Sequence, residues 1–138
     1  MVRPETIVVS PETDAQAWLE YAEADRRSAC NAMRAADYRD VAFHCQQAVE
    51  KLPKAVIVQQ TDDRPPYEHN LWKLWQHISG IVCPSDIQAA MAALNPHHFL
   101  SRYPGVGVEY DLTAAQELME RMERIRQWLT RTANLPSE

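Results

Sequence analysis

A chain of 138 residues is the size of one domain, long enough to bury about two-thirds of the surface its unfolded form exposes. With 46 % hydrophobic and 24 % charged residues, only three glycines and a net charge of −5, it excludes a disordered or collagen-like polymer and any overall electrostatic pull toward nucleic acid. Three cysteines without a C-x-x-C pair, Cys30, Cys45 and Cys83, exclude a disulfide framework and a zinc knuckle. The apolar run Ile7-Val8-Val9 is too short for a signal peptide or a membrane span, so the expected location is the cytoplasm.

Residues 1–12 carry two prolines and no helical period, and read as a tail whose Ile7-Val8-Val9 could lie against the body of the domain. Thr13-x-x-Gln16 has the form of a capping box opening a first helix. Its seam is Trp18, Ala22, Asp25, Ala29, Ala32 and Ala36, in steps of four and three. Asp37 is the expected N-cap of a second helix near 38–60, with Val41, Cys45, Ala48, Leu52 and Ala55 as its seam. Pro53 sits inside this helix and predicts a kink or an early stop. TDDRPPYEHN is turn-rich and reads as a loop. A third helix is expected near 67–79, burying Leu71, Leu74, Trp75 and Ile78, with Trp72 off that face.

Ser85-x-x-Gln88 predicts the start of a fourth helix, striped by Ile87, Met91 and Leu94 and interrupted at Asn95-Pro96, with helix resuming through His97–Ser101. Residues 102–107 are expected as a loop. Asp111 or Thr113 caps the last helix, whose seam is Ala115, Leu118, Met122, Ile125 and Leu129. The predicted fold is all-α: an up-and-down four-helix bundle with an additional short helix over residues 13–132, between tails 1–12 and 133–138.

Chemistry concentrates on the second helix. One position before each seam residue stand His44, Gln47, Lys51 and Lys54, a polar stripe about 100° from the apolar one. Lysines at that spacing suit a phosphate, with glutamine and histidine adding hydrogen bonds. A solvated helix face gives the same pattern, and spacing alone does not separate the two. Asp25, a carboxylate on a seam, calls for a cation, and Lys51, Lys54 or His69 are the available partners. That pairing serves equally as a structural tie or as one wall of a polar pocket. Arg102-Tyr103 suits a phosphate clamp with a stacking ring, or a loop anchor. The adjacent His97 and His98 face different directions with no acidic residue at a companion spacing, so no metal site is expected; nor is any cofactor.

Several stretches together resemble the HEPN family: Ala17-Trp18-Leu19, Ala22-Glu23-x-Asp25, Phe43-His44-x-Gln46-Gln47-Ala48-x-Glu50-Lys51, Lys54-Ala55, His69-Asn70-Leu71 and Arg102-Tyr103-Pro104, spread in order over roughly residues 14–132. The resemblance implies a helical bundle that commonly forms dimers. It also implies partnership with a minimal nucleotidyltransferase in arrangements of toxin–antitoxin type, and binding of a nucleotide or RNA end. Many relatives are metal-independent ribonucleases marked by an arginine and, four to six residues on, a histidine. The single match here is Arg39 to His44. It falls on the second helix, whereas the family's motif lies late in the chain, and residues five apart on a regular helix diverge by about 140°. The expected function is therefore a non-catalytic binding module, with a ribonuclease using Arg39 and His44, or a pure protein-interaction module centred on Trp72, as alternatives.

Overall fold

A computed structural model describes residues 11–103 and 108–135. The expectations for Ile7-Val8-Val9 and for residues 104–107 of the loop lie outside the described residues. Among the described residues, six α-helices follow a short 3-10 turn at Pro11–Thr13: α1 (Ala15–Arg34), α2 (Tyr38–Thr61), α3 (Leu71–Trp75), α4 (Ser85–Leu94), α5 (His97–Leu100) and α6 (Leu112–Thr132). Among the described residues there is no strand, and the architecture is an all-helical bundle. Among the described residues, no helix is long and apolar enough to cross a membrane.

The bundle is organised around α2. It packs along α1 and against α6, and α3, α4 and α5 touch it as well, while α4 closes on α6. All five residues of its predicted seam are buried, and so is every residue from Leu52 to Val58. This encirclement explains why α2 runs through Pro53 to Thr61 and does not stop early. A proline inside a helix costs about 3 kcal/mol, but burying each large aliphatic side chain returns roughly 1.5–3 kcal/mol. The seam of α6 packs as expected, and that of α1 does so through Ala22, Ala29 and Ala32, which join Met122, Ile125 and Leu129 in one core. Ala36, expected as the last member of the α1 seam, is exposed, because α1 ends at Arg34 and the chain turns away at Ala36 with φ 57°.

The helix ends differ from the sequence expectation in instructive ways. Helix α1 is capped by Asp14, one residue after Thr13, and the Asp14 carboxylate accepts the N–H of Gln16 at 3.0 Å. Asp37 does occupy the N-cap position of α2, but without a side-chain hydrogen bond. Ser85 is the first helical residue of α4, not its cap, and Gln88 reaches back to donate to the Cys83 carbonyl. Asp111 caps α6 through the N–H of Ala114.

Helix α3 is five residues long where the spacing predicts about thirteen. At its start, His69 is held out of the helix by α2, and Asn70 caps the N–H groups of Trp72 and Lys73. At its end, Gln60 grips both the N–H and the carbonyl of Ser79, and Gly80 turns the chain with φ +77°. The predicted apolar face survives without the helix: Leu71, Leu74, Trp75 and Ile78 are all buried. The stretch expected as a C-terminal tail begins by capping α6 and places Leu135 in the core.

Candidate functional site

The polar residues of α2 divide into two clusters. The first faces α1. Asp25 lies on the flank of the α1 seam, where its Oδ1 pairs with His44 Nδ1 at 2.9 Å and its Oδ2 with the Lys51 ammonium. Side-chain exposures of 12 % for Asp25, 21 % for Lys51 and 28 % for His44 make this a half-buried triad at the rim of the α1–α2 contact.

The second cluster is deeper, and its two central residues, Gln46 and Glu50, were not singled out from sequence as site residues. Gln46 is fully buried and Glu50 is 3 % exposed. Gln46 Nε2 donates to the backbone carbonyl of His69 at 3.1 Å, while its own oxygen accepts from Gln47 at 2.8 Å. Glu50 divides its two oxygens. Oε2 accepts from the Lys54 ammonium at 3.1 Å, and Oε1 pairs with His69 Nδ1 at 2.9 Å. Lys54, only 5 % exposed, also has its ammonium 5.3 Å from the ring centre of Trp18. A lysine this buried must be paired, and both partners are supplied from within the bundle.

His69 carries the cluster to the surface. Its ring stacks on that of His98, with centroids 4.0 Å apart and planes 16° apart. Burial, reinforced by the neighbouring His69, holds the His98 imidazole below the usual histidine range. Both rings line a cavity of about 330 Å³, together with Asn70, Asn95, Pro96 and Phe99. The frame of this cavity is fixed by backbone-directed bonds, since the Asn95 side chain accepts the N–H of Leu71 at 2.9 Å and ties α4 to α3. On the α5 side, Phe99 stacks on Tyr103 at 4.3 Å, and the Arg102 guanidinium lies over Phe43 at 5.2 Å. Phe99 and Tyr103 are about half exposed.

The sequence-predicted residues are thus brought together in part. His44 and Lys51 meet at Asp25, Gln47 and Lys54 belong to the Glu50 cluster, and Arg102 with Tyr103 stand beside α5. Of the three cations considered for Asp25, only Lys51 reaches it. Lys54 and His69 are taken by Glu50, which offers the more enclosed carboxylate. The stripe is therefore not a uniform solvated flank, because its last member is sealed inside. Arg39 donates to the Ser101 carbonyl at 3.3 Å and lies over Tyr110, whereas His44 is held by Asp25, so the two residues of the arginine–histidine match serve different contacts. A signal for the missed residues was present. Gln46 and Glu50 step by four to Lys54, which lines all three along one flank of α2, and buried polar residues so placed must satisfy one another.

A family model, the HEPN domain, matches residues 15–132, which is most of the chain. The chain belongs to the HEPN family. Among solved structures, TT1696 from Thermus thermophilus superposes with a TM-score of 0.78 at 22 % identity, covering 86 % of this chain and 97 % of that one. ST0689, described as an archaeal HEPN homologue, superposes with a TM-score of 0.70 at 25 % identity, covering 87 % and 98 %. No curated protein matches the chain. For this HEPN domain the family supplies the bundle, while the ring-lined cavity between α3 and α5 is described by its own side chains.

Proposed function

We propose that this HEPN domain is a non-catalytic binding module for a nucleotide or an RNA end, acting beside a minimal nucleotidyltransferase. The observation that carries the reading is the exposed Phe99–Tyr103 ring pair, set next to Arg102 at the mouth of a cavity walled by His69 and His98. A base stacks on exposed rings whatever its identity, and a guanidinium beside them suits a phosphate. A cavity of about 330 Å³ falls within the range of small-molecule sites, roughly 300–1,000 Å³. Lys51 is held by Asp25 at the α1–α2 rim, so its charge is already balanced. Lys54 acts differently from the sequence expectation: paired with Glu50, it sets the position of His69 and does not itself meet a ligand. The nucleotidyltransferase partner and the homodimer are supported by the family likeness alone.

Calorimetric titration of ATP, GTP and a 5′-phosphorylated oligonucleotide tests the site. Tyr103→Ala and Arg102→Ala should each weaken binding by about tenfold, since one stacked base is worth about 1–3 kcal/mol. Lys51→Ala should weaken it less. If no nucleotide binds at millimolar concentration, or if Arg102→Ala and Tyr103→Ala bind as well as the wild type, the reading fails. The protein-interaction alternative has its own observation, Trp72, 44 % exposed beside a cavity lined by Gln88, Met91, Ala92 and Asn95. Recovery of the nucleotidyltransferase with the wild type but not with Trp72→Ala would locate the partner surface there.

A further inference from the structure

Three metal-ligating side chains from three different elements converge at the inner wall of the cavity: Glu50 from α2, His69 from the approach to α3, and His98 from α5. One ligand atom from each lies within 4.8 Å of the other two. From this convergence we infer that Glu50, His69 and His98 bind a single transition-metal cation of the zinc class.

The donor set is the first support. Two imidazoles and one carboxylate are the protein ligands of open tetrahedral zinc sites, which keep a further position for water or a ligand. Here that position faces the cavity, because both rings line it. Ligand atoms around a tetrahedral ion at about 2.1 Å stand about 3.4 Å apart, so the widest pair must close by little more than an ångström. Rotation of the imidazole rings about χ2 supplies that movement. It also takes the rings out of their parallel stack and exchanges the His69–Glu50 hydrogen bond for bonds to the ion.

Glu50 is prepared for this exchange. Its Oε2 is held by Lys54, so the carboxylate is fixed while Oε1 remains directed at the histidines. Ligating carboxylates are commonly held in this way by a hydrogen-bonding neighbour. The lysine also sets selectivity. It cancels the charge of Glu50, which disfavours hard ions such as Mg²⁺ and Ca²⁺ that need several anionic oxygens. Zinc, cobalt and nickel, which gain from neutral imidazole, are favoured.

His98 provides an independent sign. Among the described residues its Nδ1 is the buried side-chain nitrogen without a hydrogen-bond partner. Buried polar atoms are nearly always satisfied, and a metal bond at this nitrogen accounts for the exception. The sequence conceals the site because the three residues are 19 and 29 positions apart and only the packing of α5 on α2 joins them.

The test is a titration of the full chain with Co²⁺, followed by visible absorption, and with Zn²⁺, followed by calorimetry, without nucleotide. The result is then independent of whether the cavity binds a nucleotide. One ion per chain, with the intense d–d bands of four-coordinate cobalt, is the expected outcome. His98→Ala and His69→Ala should each weaken binding by at least about tenfold, as loss of a metal contact does. His77→Ala, at an exposed histidine outside the cluster, should leave it unchanged. Should His69→Ala fail to fold, His98→Ala decides alone, since its Nδ1 leaves no broken hydrogen bond behind. The inference is overturned by the absence of saturable binding, or by binding that His98→Ala leaves intact, which marks an adventitious surface ion.

Discussion

Asp25 and Glu50 are both carboxylates paired with a lysine and a histidine of this chain, yet their surroundings differ. Asp25 holds Lys51 and His44 at the edge of the α1–α2 contact, where water reaches all three side chains. Glu50 holds Lys54 and His69 from inside the bundle, with carboxylate and ammonium both nearly inaccessible. The chemistry of the groups is the same, and position decides what it does. At the rim the pair is screened and contributes modestly to stability. In the interior each charge depends on the other, and the pair becomes a rigid post that aims a histidine ring into the cavity.

The largest effect should come from breaking the interior pair. Glu50→Ala leaves the Lys54 ammonium buried without its carboxylate and should destabilise the fold by about 3–5 kcal/mol, measured by urea unfolding. Glu50→Leu combined with Lys54→Met removes both charges and should recover most of that loss. A single-variant cost below about 1 kcal/mol would erase the contrast between the clusters. Asp25→Ala, by comparison, should cost about 1–2 kcal/mol, and raising the salt concentration should shrink the difference because these charges are half exposed.

A third tie, between Arg26, Arg126 and Glu123, extends the comparison to pH. Burial pushes the Glu123 carboxyl up, but hydrogen bonds from Arg126 and Arg26 outweigh it and hold it below the usual carboxylate range. A carboxylate whose folded pKa is depressed stabilises the fold above its unfolded value, 4.5, and loses that contribution as pH falls through the folded value. Acid unfolding of the wild type should therefore show a component below pH 4.5 that Glu123→Gln removes. The smallest effect lies outside all three ties. Helices α1 and α6 end alike, with the second residue past the helix in the left-handed region, at φ 57° for Ala36 and 54° for Asn134. Both ends close by the same pair of backbone bonds, Asp37 to Ala32 and Ala36 to Met33 in one, Leu135 to Thr130 and Asn134 to Arg131 in the other. Alanine adopts this conformation at a greater cost than asparagine, and glycine at almost none, so Ala36→Gly should raise stability by about 0.5–1 kcal/mol. Thermal unfolding reads it directly.

How much of this was legible in the sequence can be judged residue by residue. The seams of α2 and α6 were, because steps of three and four put apolar side chains on one side of a helix whatever it packs against. Asp37 and Asp111 marked helix starts correctly, since capping is local. The length of α3 was not legible, because it is limited by Gln46 and Gln60 reaching from α2 across the bundle. Nor was the fate of Lys54. Reading α2 as a helix with one apolar and one solvated face placed Lys54 among ligands, whereas neighbours on every side turned it into a partner for Glu50.

What the sequence determined by itself was the helical class, the seams and the kinds of polar group the second helix carries, since periodicity and capping act within a few residues. What only tertiary structure decided was which of those groups meet. Glu50, His69 and His98 stand far apart along the chain, and their approach follows from α5 packing on α2 and from Gln46 holding the approach to α3. Contacts of that kind depend on the position of whole helices, which no local pattern of residues encodes.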